Sequence, residues 1–140
     1  MQQQQTTLEL QTQTIGLYEV TADIADWVYE TGIENGLLTL MAQHTSASLT
    51  IQENADPAVQ PDLIDALDRL APMNPKLYRH IAEGADDMPA HIKSALTNVS
   101  LSIPVQERRM RLGTWQGVFL IEHRQAPHTR RIACHLLGDF

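Results

Sequence analysis

Two histidines and three acids crowd one short stretch of this chain, His80-Ile81-Ala82-Glu83-Gly84-Ala85-Asp86-Asp87-Met88-Pro89-Ala90-His91. Gly84 and Pro89 shape the backbone between them, and no lysine or arginine inside the stretch balances Glu83, Asp86 and Asp87. Negative charge gathered without an internal counter-charge asks for a cation: a metal ion, an arginine from elsewhere, or a proton. Asp86 and Asp87 are hard oxygen ligands suited to magnesium, whereas His80 and His91 suit zinc or another transition metal. His80 and His91, eleven apart with Gly84 and Pro89 between them, do not lie on one helical face, so spacing alone does not demonstrate a metal site. Two other polar stretches could face this one: His44-Thr45-Ser46 with Glu53-Asn54, and Gly113-Thr114-Trp115-Gln116-Gly117 with Glu122-His123-Arg124. Each sits at the boundary of a predicted element, and loops at strand ends are where sites form. No Gly-x-Ser-x-Gly, P-loop, dinucleotide fingerprint or His-Glu-x-x-His is present.

The elements that must position these stretches are readable from periodicity. Residues 1–5 carry four glutamines, have nothing to bury, and are expected to fray. Alternation from Thr6 to Gln13 predicts a half-buried strand, which Gly16 breaks. Thr21 then looks like a helix cap, with Ile24, Trp27, Val28 and Thr31 at helical spacing before Asn35-Gly36 turns the chain. Leu38, Leu40 and Ala42 share one face of a strand that ends at His44, which is equally readable as a core histidine bonded to a carbonyl. Ser48 to Gln52 is a second strand. Asp56-Pro57 predicts a helix start, followed by the apolar stripe Val59, Leu63, Ala66, Leu67, Leu70. Met88-Pro89-Ala90 opens another helix with Asp86 or Asp87 as its cap. Val99 to Val105 is a strand, and Gln106 to Gly113 a basic connection. Val118-Phe119-Leu120-Ile121 is a central strand. Thr129 to Leu137 alternates, with Ile132, Cys134 and Leu136 on one face. Six or seven strands and three helices make an α+β domain over 6–140.

Composition bounds the function. One domain fits 140 residues. A net charge of −7 argues against nonspecific nucleic-acid binding, which needs a basic surface. Arg108, Arg109, Arg111, Arg124, Arg130 and Arg131 all fall in the last third, an asymmetry that suits a local anion site. The single Cys134 rules out an intrachain disulfide and a cysteine zinc motif. No signal peptide or membrane-length apolar run is visible, so a soluble cytoplasmic protein is expected.

The motifs also carry a resemblance. His44-Thr45-Ser46-Ala47-Ser48-Leu49-Thr50-Ile51 and Glu53-Asn54-Ala55-Asp56-Pro57 are similar to the first signature of the YjbQ family, also called secondary thiamine-phosphate synthases. It continues through His80, Glu83-Gly84 and Asp86-Asp87-Met88-Pro89-Ala90-His91-Ile92-Lys93, and closes with Leu112-Gly113-Thr114-Trp115-Gln116-Gly117 and Glu122-His123-Arg124. The resemblance implies an α+β domain with a β-sandwich-like core that assembles as a homotrimer. It also implies a weak or secondary ability to join an aminopyrimidine diphosphate to a thiazole phosphate, releasing diphosphate. Set against that reaction, Glu53, Asp87 and His91 are the candidate catalytic residues, with Glu53 bonding the aminopyrimidine or moving a proton and Asn54 positioning it. His80, Asp86 and His91 are the candidate ligands of a divalent metal, magnesium or zinc. Arg124 and Thr114 would hold anionic oxygens, and Trp115 would stack on a heteroaromatic ring. His44, Ser46, Gln116 and His123 would line the same cavity for a phosphorylated substrate. The alternatives are a metal-assisted hydrolase of another phosphorylated metabolite and a non-enzymatic trimeric binding protein for a phosphorylated ligand.

Overall fold

The computed structural model describes every residue from Met1 to Phe140. In chain order the elements are β1 (Gln2–Thr12), β2 (Gly16–Glu19), α1 (Thr21–Glu30), β3 (Asn35–Ala42), β4 (Ala47–Glu53), α2 (Val59–Leu70), a 3-10 turn (Pro75–Leu77), α3 (Asp87–Leu96), β5 (Ser100–Gln106), β6 (Arg109–Met110), β7 (Gln116–Glu122) and β8 (His128–Asp139). One sheet runs β1-β8-β3-β5-β6 and the other β2-β7-β4, with every pairing antiparallel. The class is the α+β domain that the periodicity predicts, with the sandwich-like core that the family resemblance implies. Leu38, Leu40, Ile132 and Leu136 of the larger sheet join Leu49, Val118 and Leu120 of the smaller one and Ile24 and Val28 of α1 in a single buried cluster. Their alternation along β3 and β8 is the reason: every second side chain turns inward.

Several expectations need correcting. The glutamines do not end the strand: β1 starts at Gln2, and Gln2 through Gln5 pair with Gly138 through His135. They are exposed, so backbone pairing rather than burial holds them. The first strand does end before Gly16, at Thr12, but Gly16 also opens β2, a short strand along β7 that the sequence reading did not include. Thr21 is the first residue of α1 rather than its cap, and its hydroxyl accepts from the Val118 amide at 2.8 Å, tying the helix to β7. The basic connection conceals β6, because Glu107 and Arg108 form a two-residue turn at φ 52° and 65°. Such a turn ordinarily needs glycine or asparagine. Here the Arg108 guanidinium stacks 3.9 Å over the Tyr29 ring and donates to the Tyr29 carbonyl, which offsets the strain.

The helix expected from Asp56 begins at Val59; Asp56 instead accepts from the Ala58 amide at 2.9 Å and closes the turn before it. None of the apolar stripe of α2 is fully buried. The helix is pinned instead by Asp68, which accepts from the Lys93 ammonium at 2.6 Å, and Lys93 itself is only 2 % exposed.

Candidate functional site

α3 begins at Asp87, so Asp87 and His91, one turn apart, share a face. The preceding loop folds back through Gly84 at φ +107°, a conformation that only glycine adopts cheaply, and returns His80 to the same point. His80 Nε2 lies 2.8 Å and His91 Nε2 3.1 Å from Asp87 Oδ2. The ligating atoms of the three residues all lie within 4.8 Å of one another. Asp86 precedes the helix, but its carboxylate does not cap it. Asp86 accepts from Arg124 Nε at 3.0 Å and from the Gln125 amide at 2.9 Å. Asp86, a candidate metal ligand from the sequence, is thus held away from His80 and His91, and the carboxylate that meets the two imidazoles is that of Asp87.

The donor set fits a metal. His91 Nδ1 lies 3.1 Å from the Thr45 carbonyl, which can only accept, so Nδ1 carries the proton. Nε2 of a neutral His91 is then a lone pair aimed at a carboxylate oxygen. Two lone pairs at that distance need a cation between them, a proton or a metal. A second nitrogen donating to a backbone carbonyl is also what orients metal-binding histidines generally. Two imidazoles and one carboxylate suit zinc or a similar transition metal better than magnesium, which prefers oxygen.

Arg124 steadies this corner from behind. Its NH1 donates to Asp87 Oδ1 at 2.8 Å and its NH2 to the Glu83 carbonyl at 3.1 Å, leaving Oδ2 for the histidines. Burial pushes the Asp87 carboxyl up, but hydrogen bonding from His80 and the charges of His91 and Arg124 more than offset it, so it stays below the usual carboxylate range. A carboxylate held in its charged form is suited to pairing with a cation, and this is how the structure presents the candidate catalytic residue Asp87.

A second buried cluster lies beside the first. Glu122, at 0 % exposure, accepts from Arg130 Nε at 2.7 Å, the Thr12 hydroxyl at 2.6 Å and the Arg124 amide at 3.1 Å. Burial raises its pKa, and the bonds from Arg130 and Thr12 bring it below the ordinary value. Arg130 NH2 also holds the Ser46 hydroxyl at 2.9 Å. His44 Nε2 accepts from the Arg131 amide at 2.7 Å, so its Nδ1 bears the proton of the neutral ring. Burial, and next the Arg130 charge, lower its pKa and keep it neutral. A cavity of about 390 Å³, lined by His44, Thr45, His91, Ser94 and Thr97 among others, opens between His44 and the α3 triad. A hollow of about 680 Å³ continues past His44 to Ser46 and Arg130.

The remaining candidates are elsewhere. His123 is buried against Ser48 and touches no cavity, which removes it as a substrate contact. Glu53, Asn54, Thr114, Trp115 and Gln116 gather at the opposite end of the β2-β7-β4 sheet. Glu53 pairs with Gln116 across the strands and accepts from the Asp56 amide at 3.2 Å. Asn54 donates to Glu19 at 3.1 Å, and Gln116 accepts from the Gly113 amide at 2.7 Å. Trp115 is 63 % exposed. The length of β7, roughly 20 Å at about 3.3 Å per residue, separates these groups from Arg124. Within one protomer the three polar stretches therefore form two corners, not one site.

Sequence reasoning counted Arg130 among the arginines of a local anion site, Glu122 in the third polar stretch and Lys93 in the family motif, but gave none of them a role of its own. Parity was the available signal for Arg130, which falls on the Ile132–Cys134–Leu136 face of β8. Glu122 directly continues a fully buried run.

A family model described as UPF0047 protein YjbQ-like matches residues 6–139. The UPF0047 protein sll1880 of Synechocystis is 50 % identical over 137 residues, covering 98 % of this chain and 93 % of the relative. The UPF0047 protein YjbQ of Escherichia coli O157:H7 is 46 % identical, covering 96 % and 98 %. The crystal structure of the conserved hypothetical protein TT1486 of Thermus thermophilus superposes with a TM-score of 0.84 at 38 % identity, covering 94 % of this chain and 99 % of that one.

Proposed function

The chain belongs to the UPF0047 YjbQ-like family, and on that premise we propose that it is a metal-dependent transferase for small phosphorylated substrates, with thiamine-phosphate synthase-like transfer as the reaction to test first. The observation that carries the reading is the convergence of His80, Asp87 and His91 within 4.8 Å at the edge of the cavity that His91 shares with His44. His80, Asp87 and His91 would hold a divalent ion, zinc or a similar metal in preference to magnesium. Such an ion supplies a Lewis acid for the oxygens of a departing diphosphate.

The chain's own residues complete the work. His44 presents Nδ1–H to an anionic oxygen. Arg130, which lines the adjoining hollow and is paired with Glu122, offers guanidinium N–H donors there. Arg124 keeps the Asp87 carboxylate turned toward the imidazoles. The wall of the cavity between His44 and His91 carries hydroxyls and imidazoles and no carboxylate. The assay below separates transfer from hydrolysis.

A homotrimer belongs to the same proposal. Leu37 and Leu137 face each other on the bare outer side of the larger sheet with Met41 nearby, and Leu70, Leu77 and Ile81 are exposed around α2. Apolar surface of this kind is what assembly covers. Assembly would also let the Trp115 corner of one copy approach the triad of another. No helix is long and apolar enough to cross a membrane, which agrees with the cytoplasmic site of action proposed here.

The test is metal analysis of untagged protein followed by an assay of diphosphate release from the pyrimidine diphosphate, with and without the thiazole phosphate. Metal-dependent release that requires the second substrate supports transfer. Release without it points to hydrolysis. Saturable diphosphate binding with no turnover makes the protein a ligand-binding one, and no binding of metal or diphosphate sinks the reading.

A further inference from the structure

Behind the cavity wall runs a chain of polar groups. His123 Nε2 is 2.8 Å from the Ser48 hydroxyl, which is 2.6 Å from the Thr97 hydroxyl. The Thr97 hydroxyl donates to the Lys93 carbonyl at 2.7 Å. Ser48 and His123 are buried, while Thr97 lines the cavity with His44 and His91. His123 Nδ1 has no partner.

Counting protons fixes the direction of every bond. Each hydroxyl has one proton to give. Thr97 gives its proton to Lys93, so Ser48 must donate to Thr97 and His123 Nε2–H must donate to Ser48. The group left over is then a lone pair on Nδ1. Reversing the chain would strand an N–H at that buried position, and a stranded N–H is the costlier orphan. Burial, and next the Lys93 charge, push His123 down to about 4, so the ring is neutral and the direction holds near neutral pH.

We infer that Thr97 meets the cavity as a hydrogen-bond acceptor, held in that role by His123 through Ser48, and that the cavity therefore takes a phosphorylated ligand with an N–H or O–H donor at the end remote from the phosphate. This rests on the reading above, in which the phosphate lies at the His80–Asp87–His91 end. Thr97 stands roughly 9 Å farther along α3 than His91, at about 1.5 Å per residue, so the donor belongs well away from the phosphate. The Ser94 hydroxyl oxygen is buried and has no partner, so it presents neither donor nor acceptor to the cavity. His123 touches no ligand and is a positioning residue.

Phenyl phosphate, 4-aminophenyl phosphate and 4-nitrophenyl phosphate share one anchor and differ at the far end: nothing, a donor, or acceptors only. Calorimetric titration into protein supplied with zinc should show the amino compound binding about tenfold tighter than phenyl phosphate, the effect of one neutral hydrogen bond, and the nitro compound binding no tighter. Thr97→Val should abolish that preference. His123→Gln, whose amide N–H can replace Nε2–H, should retain it. Equal affinities for all three probes in the parent protein would overturn the donor requirement and leave the phosphate site standing. Failure of both phenyl phosphate and inorganic phosphate to bind would remove that site and the inference with it. Independently of any ligand, nitrogen-15 NMR should find His123 protonated on Nε2 and bare on Nδ1; a protonated Nδ1 would overturn the inference.

Discussion

The two ends of β7 bring together polar residues of much the same kind and put them to opposite use. At the Glu122 end, Asp86, Asp87, Arg124, Glu122 and Arg130 interlock, and His91 aims its Nε2 at the same Asp87 oxygen that His80 meets. At the Gln116 end, Glu53, Asn54 and Gln116 each satisfy a nearby group, and Trp115 stands in solvent. The first corner has unmet electrostatic demand and the second, in a single copy, has none. Polar content alone does not mark a site; a donor set that its own neighbours cannot complete does.

That contrast can be broken most sharply at the triad. Asp87→Ala or His91→Ala should lower zinc affinity by on the order of a hundredfold or more, measured by chelator competition, because even outer partners of a metal ligand are worth about 10–100-fold. Glu53→Ala at the other corner should leave that affinity within about twofold. A comparable loss from Glu53→Ala would erase the distinction.

Acid should next distinguish the buried core of the first corner. The folded-state pKa of His123 lies at about 4 against 6.5 when free, so the unfolded chain binds the extra proton across that window. Stability is therefore full above about 6.5 and falls as the pH drops toward 4, by about 3 kcal/mol for this ring. His44, lowered for the same reason, adds to the fall. Glu122, Asp86 and Asp87, all held below their ordinary values, lose their stabilisation only under more acid conditions. Urea unfolding at several pH values should show the first loss in the parent and a reduced one in His123→Gln.

Arg124→Met removes the support and not the ligands, so zinc affinity should drop by about 10–100-fold while the fold persists. An unchanged affinity would mean that Arg124 only closes the loop. The smallest effect belongs to Trp115→Ala, which should shift stability by no more than about 0.5 kcal/mol in chemical denaturation. A larger loss, accompanied by a smaller assembled mass in light scattering, would show that the exposed corner is buried against a neighbouring copy.

Much of this was legible before any coordinates. Alternation in β3 and β8, the helical spacing in α1 and the Met88-Pro89-Ala90 helix start all reflect local rules of side-chain direction, which act within a few residues. Burial of Leu38, Leu40 and Ala42, and of Ile132, Cys134 and Leu136, follows from the same parity. So does the pairing of Asp87 with His91 once α3 is drawn. β2 and the glutamine half of β1 escaped notice because backbone pairing with a distant strand, not their own side chains, makes them strands.

The sequence by itself determined the elements, the inward faces and a short list of residues able to do chemistry. Which of them meet was decided only by tertiary structure. Strand register set Glu53 opposite Gln116, at the far end of β7 from Arg124, and the turn at Gly84 returned His80 to Asp87 while Arg124 drew Asp86 away. Those outcomes depend on long-range pairing and competition for partners among groups far apart in the chain, and no local pattern encodes either.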